Sequence, residues 1–295
     1  EQEMSLIIKR VQAKAGELAK KEVAIETNNP DIEVRLINSA IVSLTIDGYK
    51  VSNPIGFKGS DLNIQFYTAF APLVHISAIE KVCAELSLDL LSVAVEPFAV
   101  CRACLGDDPD SKLSAIVMDI GGGTTDIAIL SLGSIVKSAS LKIAGDAFDS
   151  DIIKYMKSKY KLLIGERTAE EIKISIGTVL TDRVDKLDVK GRDLVTGLPH
   201  VITLTSKEVE EALRDSVYKI INEVKSVLET TPPELAGDIV DKGIILTGGG
   251  AMVDGFDKLL SQELKVPVFM ADSPLTCVVE GTGVLLENIN LIESI

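Results

Sequence analysis

An α/β fold is the architecture this sequence predicts, and three observations predict it. Apolar runs of strand length alternate with segments of helical period along the chain. Two glycine clusters, at 121–123 and 248–250, each follow a strand-like run. Hydrophobic residues make up 46% of the 295 and charged residues 25%, ordinary globular proportions with enough apolar material for a sizeable core.

Residues 1–22 are charged and alanine-rich, with Leu6, Ile7, Val11 and Leu18 near helical spacing, which predicts a helix. Residues 32–70 carry alternating stretches, I-E-V-R-L-I and I-V-S-L-T-I, broken by I-D-G-Y and N-P-I-G-F-K-G. They predict a small strand-rich unit with tight turns. A helix is expected over about 76–86, then a buried strand, L-L-S-V-A-V, running into Glu96-Pro97. The polar loop G-D-D-P-D-S-K precedes the strand S-A-I-V-M-D-I, a glycine turn and a second strand, D-I-A-I-L-S-L. Helices follow at 151–160 and 168–176, the latter opened by Thr168 with Glu171 in a capping box. A polar, strand-like segment spans 183–204. A helix from about Ser206 to Leu228 ends before Pro232-Pro233. The strand G-I-I-L-T then meets the second glycine cluster, and a helix follows.

The formal net charge is −14 and no basic run offsets it, so a phosphate backbone would be repelled and nucleic acid is not an expected partner. No apolar stretch approaches the roughly 20 residues that span a bilayer, and no signal peptide is visible, which predicts a soluble, cytoplasmic protein. Glu1 opens the chain and Met4 is its first methionine, which points to a processed piece. Of the four cysteines, Cys101 and Cys104 form one suggestive pair, C-R-A-C. Without a second pair, and with His75 and His200 isolated, they read as small hydrophobes on a helix.

Chemistry concentrates in three places. In M-D-I-G-G-G-T-T-D, Met118 to Asp126, three glycines between two strands let the backbone pass close to a ligand with successive N–H groups aimed at it. That describes a phosphate cradle, with Asp119 and Asp126 placed to hold Mg²⁺ through water. The alternative is a ligand-free turn, which rarely needs three glycines and two threonines. In L-T-G-G-G-A-M, Leu246 to Met252, the spacing is neither that of a P-loop nor that of a dinucleotide site, and the helix N-terminus after it favours an anion or a polar nucleotide edge. In E-E-I-K, Glu170 and Lys173 share a helix face, and by themselves they read as a surface ion pair.

A glycine cluster in a hairpin and another at a strand–helix turn resemble the actin-like ATPase (ribonuclease H-like) fold, in which two related α/β halves close on ATP. From about Ser114 to Asn288 the chain resembles the MreB family of bacterial cell-shape actins. The stretches that carry the likeness are D-I-G-G-G-T-T-D, A-G-D-A-F-D, L-L-I-G-E-R-T-A-E-E-I-K, G-R-D-L-V-T-G-L-P, T-P-P-E-L-A, L-T-G-G-G-A and D-S-P-L-T-C-V. Before residue 110, N-P-I-G-F-K-G, the strands after it and V-E-P-F-A-V resemble FtsA, the actin-like division protein, with PilM a weaker match. The expected division is therefore 1–95, a small FtsA-type α+β subdomain with the rest of the first half, and 96–295, an MreB-like half with a small insertion at about 178–205.

The resemblance implies a role for each matching residue. Gly121, Gly122, Gly123 and Thr124 would hold the β- and γ-phosphates, and Gly145 and Asp146 would approach them from the second half. Asp119 and Asp126 would lie on the metal side, and Glu96 would position the attacking water, the alternative for Glu96 being a cap on the next helix. Glu170 and Lys173 would bind ribose, in place of the surface-pair reading. Gly248, Gly249, Gly250 and Ala251 would form the adenosine site. Hydrolysis of Mg-ATP would proceed by positioning and metal electrostatics with no covalent intermediate, Glu96 and Asp119 being the catalytic pair.

One departure stands out: nothing before Glu96 resembles the first phosphate loop of the family, so an absent N-terminal hairpin and weak nucleotide binding are expected. N-I-N-L-I-E-S-I, at the end, is too short and acidic for an amphipathic membrane helix. The function implied is self-association into filaments for cell shape or division, with ATP/ADP and Mg²⁺ as cofactors. The partners implied are cell-division or cell-wall machinery proteins, contacted in the cytoplasm or at the inner face of the membrane. The alternatives are a hydrolysis-deficient adaptor and a sugar or acetate kinase. Residues 24–72 are expected to act as an independent contact surface.

Overall fold

The computed structural model describes residues 2–51, 56–106, 115–131, 134–231, 237, 239 and 242–287. The loop 107–114, Pro232-Pro233, residues 52–55 and the terminal 288–295 stretch lie outside them. Helix α1 (Gln2–Thr27) is rich in Ala, Lys and Glu, strong helix formers. It rests on a three-stranded antiparallel sheet in which β1 (Val34–Ile46) stands between β2 (Tyr49–Lys50) and β3 (Leu62–Pro72). Asp47 and Gly48 turn β1 into β2 with φ of 50° and 84°, the left-handed pair a two-residue hairpin loop requires. The two expected stretches I-E-V-R-L-I and I-V-S-L-T-I contribute to one strand, β1, whose bends are absorbed at register shifts between Leu36 and Asn38 and between Ile41 and Ser43.

Helix α2 (Leu73–Glu85) follows directly, and then the sequence expectation fails. L-L-S-V-A-V forms no strand, and Leu91 is 62% exposed. It pairs with no described strand, and an apolar run becomes a buried strand only when its backbone groups are paired. Helix α3 (Glu96–Leu105) starts with Pro97 in its first turn and ends at Gly106, φ 79°.

The remaining elements are β4 (Ala115–Ile120), β5 (Thr125–Ser131), β6 (Ser134–Leu141), α4 (Gly145–Tyr160), β7 (Leu162–Leu163), α5 (Glu166–Ile176), β8 (Lys186–Asp193), β9 (Pro199–Thr205), α6 (Ser206–Glu229), β10 (Ile244–Thr247), α7 (Phe256–Leu264), β11 (Val268–Met270) and α8 (Cys277–Glu287). Helix α4 begins six residues before the expected Asp151 because its first N–H groups find carbonyl partners outside the helix, on Gly121 and Gly122. Gly165, not Thr168, is the N-cap of α5, which leaves Thr168 inside the first turn. The capping box belongs to α6 instead, where Thr205 and Glu208 satisfy each other's backbone N–H groups.

The central sheet runs β11-β10-β4-β5-β6, parallel across the first three strands and antiparallel across the last three. All six residues of β4 are buried, as in a strand covered on both faces. Ile116, Met118 and Ile120 face α4, α5 and α6 through Phe148, Ile172 and Ile220. Val117 and Ala128 face the other way, onto Phe98 and Val100 of α3 and Leu285 of α8. Alternation along β4 therefore aims Asp119 at the α3 side. The third sheet, β7-β8-β9, is built on the hairpin 186–205, with β7 paired to β8.

Candidate functional site

The loop Gly121–Thr124 joins β4 to β5 and is closed by the Gly121 N–H donating to the Thr124 carbonyl at 3.0 Å. Thr124 Oγ1 donates to Asp126 Oδ2 at 2.8 Å, and the buried Thr125 hydroxyl donates to the Ile143 carbonyl at 2.7 Å. The first turn of α4 docks on this hairpin. The Gly145 N–H donates to the Gly121 carbonyl at 3.1 Å and the Asp146 N–H to the Gly122 carbonyl at 2.8 Å.

The second glycine turn lodges against the end of β4. Gly248 has φ +90°, and a Cβ there would stand 2.3 Å from the Ile120 carbonyl oxygen and 2.4 Å from Asp119 Oδ1. A Cβ on Gly250 would stand 2.7 Å from Ile120 Cγ2. Only glycine allows backbone to approach backbone this closely. The Gly248 N–H and the Thr247 hydroxyl both donate to the Pro274 carbonyl, at 3.0 and 2.9 Å, which ties the turn to the start of α8.

Where the two turns meet, a cavity of about 500 Å³ opens. Of the residues expected from sequence, Gly121, Gly122, Gly145, Asp146, Glu170, Lys173, Gly249 and Gly250 line it. Gly248 and Ala251 are buried behind its wall. Gly123 and Thr124 are on the hairpin but not among the lining residues. The sequence reading missed Ile174, Gly177, Arg183, Met252, Val253, Asp254 and Leu275. The signal for Ile174 was its place directly after Lys173, on the exposed side of α5. Lys173 is not paired with Glu170: its ammonium donates to Asp149 Oδ2 at 2.9 Å and to the Gly145 carbonyl at 3.1 Å.

Glu96, Asp119 and Asp126 form a separate acidic group under the hairpin. Asp119 and Asp126 are directly opposite in the β4–β5 register. Burial, then the charges of Glu96 and Asp126, push the Asp119 carboxyl up to about 6. Burial and then Asp126 raise Glu96 as well. Glu96 does not cap α3: Val95 is the N-cap, with no side-chain cap bond. Among the described residues no three acidic, His or Cys side chains converge closely enough to hold a metal ion by themselves. A cation at this group would draw its remaining ligands from water or from a bound phosphate.

A mixed sheet covered on both faces, with two glycine turns meeting at the end of its central strand, defines an actin-like ATPase fold, and solved structures of that fold match it. MreB5 of Spiroplasma citri bound to ADP has a TM-score of 0.69 at 38% identity, covering 73% of this chain and 66% of that one. The PilM–PilN type IV pilus biogenesis complex has a TM-score of 0.58 over 94% of this chain and 73% of that one, and its 17% identity makes it a likeness of fold alone. The family model for MreB/Mbl protein matches residues 73–294, and the chain belongs to the MreB/Mbl family. Cell shape-determining protein Mbl of Bacillus subtilis (strain 168) is 59% identical over 176 residues, covering 59% of this chain and 53% of the relative. The chain spans about half the length of the curated relatives it matches. The family match begins at 73 rather than near 110 and takes in V-E-P-F-A-V. The FtsA resemblance of the N-terminal third finds no support in these comparisons.

Proposed function

We propose that this chain is the nucleotide-binding part of a filament-forming, cell-shape actin that takes ATP and ADP with Mg²⁺. The observation that carries the reading is the convergence of both glycine turns and the first turn of α4 on one cavity. Its glycine side offers close backbone approach to phosphates. Ile174, Met252 and Leu275, exposed by 73%, 56% and 71%, supply apolar surface for a flat base. Glu170 stands at the same wall as an acceptor for ribose hydroxyls. The acidic group of Glu96, Asp119 and Asp126 fits a hydrated divalent cation, which would neutralise phosphate charge. The ADP in the MreB5 structure supports the same ligand class here. Self-association into filaments, work with cell-wall or division machinery and a place at the inner face of the membrane follow as parts of the proposal. Among the described residues no helix is long and apolar enough to cross a membrane.

Titration with ATP and with ADP in Mg²⁺ tests the site, with Gly122→Val as the comparison. A Cβ on Gly122 would meet Asp146 Oδ1 at 3.5 Å, an ordinary contact, so the variant is expected to fold, which its thermal melt checks, while its methyl groups crowd the phosphate side. Saturable binding weakened at least about tenfold by the substitution is the expected result. Equal affinity of the variant, or no saturable binding by the wild type, overturns the reading.

A further inference from the structure

The cysteine pair that the sequence offers, Cys101 and Cys104, is not the pair that the fold makes. Cys101 is buried in the apolar cluster between α3, the central sheet and α8. The thiol beside Cys104 is that of Cys277, 173 residues further on, with the two Sγ atoms 3.9 Å apart. Helices α3 and α8 bring them together. Their backbones touch where Gly281 lies against Ala99, since a Cβ on Gly281 would stand 1.8 Å from the Ala99 carbonyl oxygen. Cys277 precedes Gly281 by about one turn and Cys104 follows Ala99 by a little more, so their side chains meet between closely spaced backbones. The Cys277 thiol donates to the Ser273 carbonyl at 3.2 Å, which leaves its sulfur to accept the Cys104 S–H. A disulfide bond is about 2.05 Å long, so the sulfurs have to close by about 2 Å, a distance that torsion about the two Cα–Cβ bonds spans.

We propose that Cys104 and Cys277 are a site of reversible oxidation, a dithiol that a peroxide closes into a disulfide joining α3 to α8. The Cys104 sulfur attacks one peroxide oxygen and the O–O bond breaks. The other oxygen leaves as water with the thiol proton, and Cys104 becomes a sulfenic acid. The Cys277 sulfur then attacks that sulfur; the S–S bond forms, the S–O bond breaks, and the hydroxide leaves as a second water with the Cys277 proton. Two thiols lose two electrons and two protons, and the peroxide is reduced to two waters. Cys104 reacts first because it is half-buried, whereas Cys277 is buried. Burial, then the neighbouring Cys277, push the Cys104 thiol up to about 12, so the pair responds to sustained oxidant rather than to traces. The bond also reaches the second glycine turn. The Cys277 N–H donates to the Ser273 carbonyl, and the adjacent Pro274 carbonyl accepts from the Gly248 N–H and the Thr247 hydroxyl. Oxidation thus anchors the segment that holds this turn to the helix that carries Glu96.

The test treats the folded full chain with hydrogen peroxide, blocks remaining thiols with iodoacetamide and maps the linked peptides by mass spectrometry. The expected main product links Cys104 to Cys277 and is reversed by dithiothreitol. Because the cross-link closes a loop of 173 residues, the Tm of the oxidised protein should rise by about 5 °C or more. Hydrogen exchange at the Gly248 amide should slow about fivefold or more. Cys104→Ala and Cys104→Ser should each abolish the product, whereas Cys101→Ala and Cys83→Ser should keep it. A main product that links Cys101 to Cys104, dimers joined through Cys83, or a Cys104–Cys277 bond that forms only in urea overturns the proposal. A lowered Tm would show that the bond forms only at the expense of native packing, and unchanged exchange at Gly248 that it does not reach the turn; either result also overturns it.

Discussion

Asp119 shows how a residue suited to a ligand burdens the free protein. Its carboxylate is 5% exposed, with Asp126 directly across the ladder and Glu96 charged nearby. With a folded value of about 6 against 3.8 for the ordinary group, the charged form is disfavoured by about 3 kcal/mol. The sign follows: this group's relative stabilisation is fully present below the ordinary carboxylate range and is lost as pH rises through about 6. Asp119→Asn removes the charge and keeps the shape. We therefore expect its Tm to match the wild type near pH 3.5, below the ordinary carboxylate value, and to exceed it by about 5 °C near pH 8, at a few degrees per kcal/mol, with more than half of that difference already present near pH 5. Thermal melts of the nucleotide-free protein at the two pH values check this. A uniform offset at both would mean that packing, not ionisation, sets the difference. The same variant should lose affinity for Mg-ATP, the usual opposition between a site's stability and its use.

At the scale of elements, the helix that carries Glu96 is placed by a glycine on another helix. A Cβ on Gly281 of α8 would stand 1.8 Å from the Ala99 carbonyl oxygen and 2.4 Å from its carbon, so α3 and α8 meet backbone to backbone. Gly281→Ala must push α3 away, and overpacking of this kind costs about 1–3 kcal/mol. The expected results are a lowered urea midpoint and a displaced Glu96, read as slower ATP turnover in a turnover-competent protein. An unchanged midpoint would show that α3 can yield without loss. Neither the contact nor its need for glycine was visible in sequence, because V-V-E-G-T-G-V gives no sign of what lies opposite. Other placements were legible. Asp47-Gly48 announced a left-handed turn, and D-I-G-G-G-T-T-D announced a hairpin made for close approach, because few residue types tolerate those backbones. Two of the misreadings involve partners distant in sequence, whereas the misplaced cap of α5 is a local one. The start of α4 depends on carbonyls of residues 121 and 122, and L-L-S-V-A-V has a strand's composition without a strand's pairing. The apolar wall of Ile174, Met252 and Leu275 is assembled from three separate segments, each ordinary by itself.

For the molecule as a whole, the decisive quantity is charge. Each copy carries a formal −14 over 295 residues, so copies that assemble into a filament bring like charges together repeatedly. Apolar surface is available to oppose that repulsion: Val195 and Leu198 in the β8–β9 hairpin and Leu86 and Leu91 beyond α2 are each more than 60% exposed. Burial of such surface depends little on ionic strength, whereas the repulsion between net charges is screened over a Debye length of about 10 Å at 0.1 M salt and about 30 Å at 0.01 M. Assembly should therefore strengthen as salt is added. With Mg²⁺ and ATP held constant, we expect the critical concentration measured by light scattering or pelleting to fall several-fold between about 0.01 and 0.15 M monovalent salt, the range over which the Debye length shrinks to about 8 Å. Higher salt should then bring little further change, since contacts between exposed groups are already screened. A critical concentration that rises with salt would show the opposite arrangement, subunits joined through complementary ion pairs despite their common net charge, and would remove the apolar hairpin from the contact.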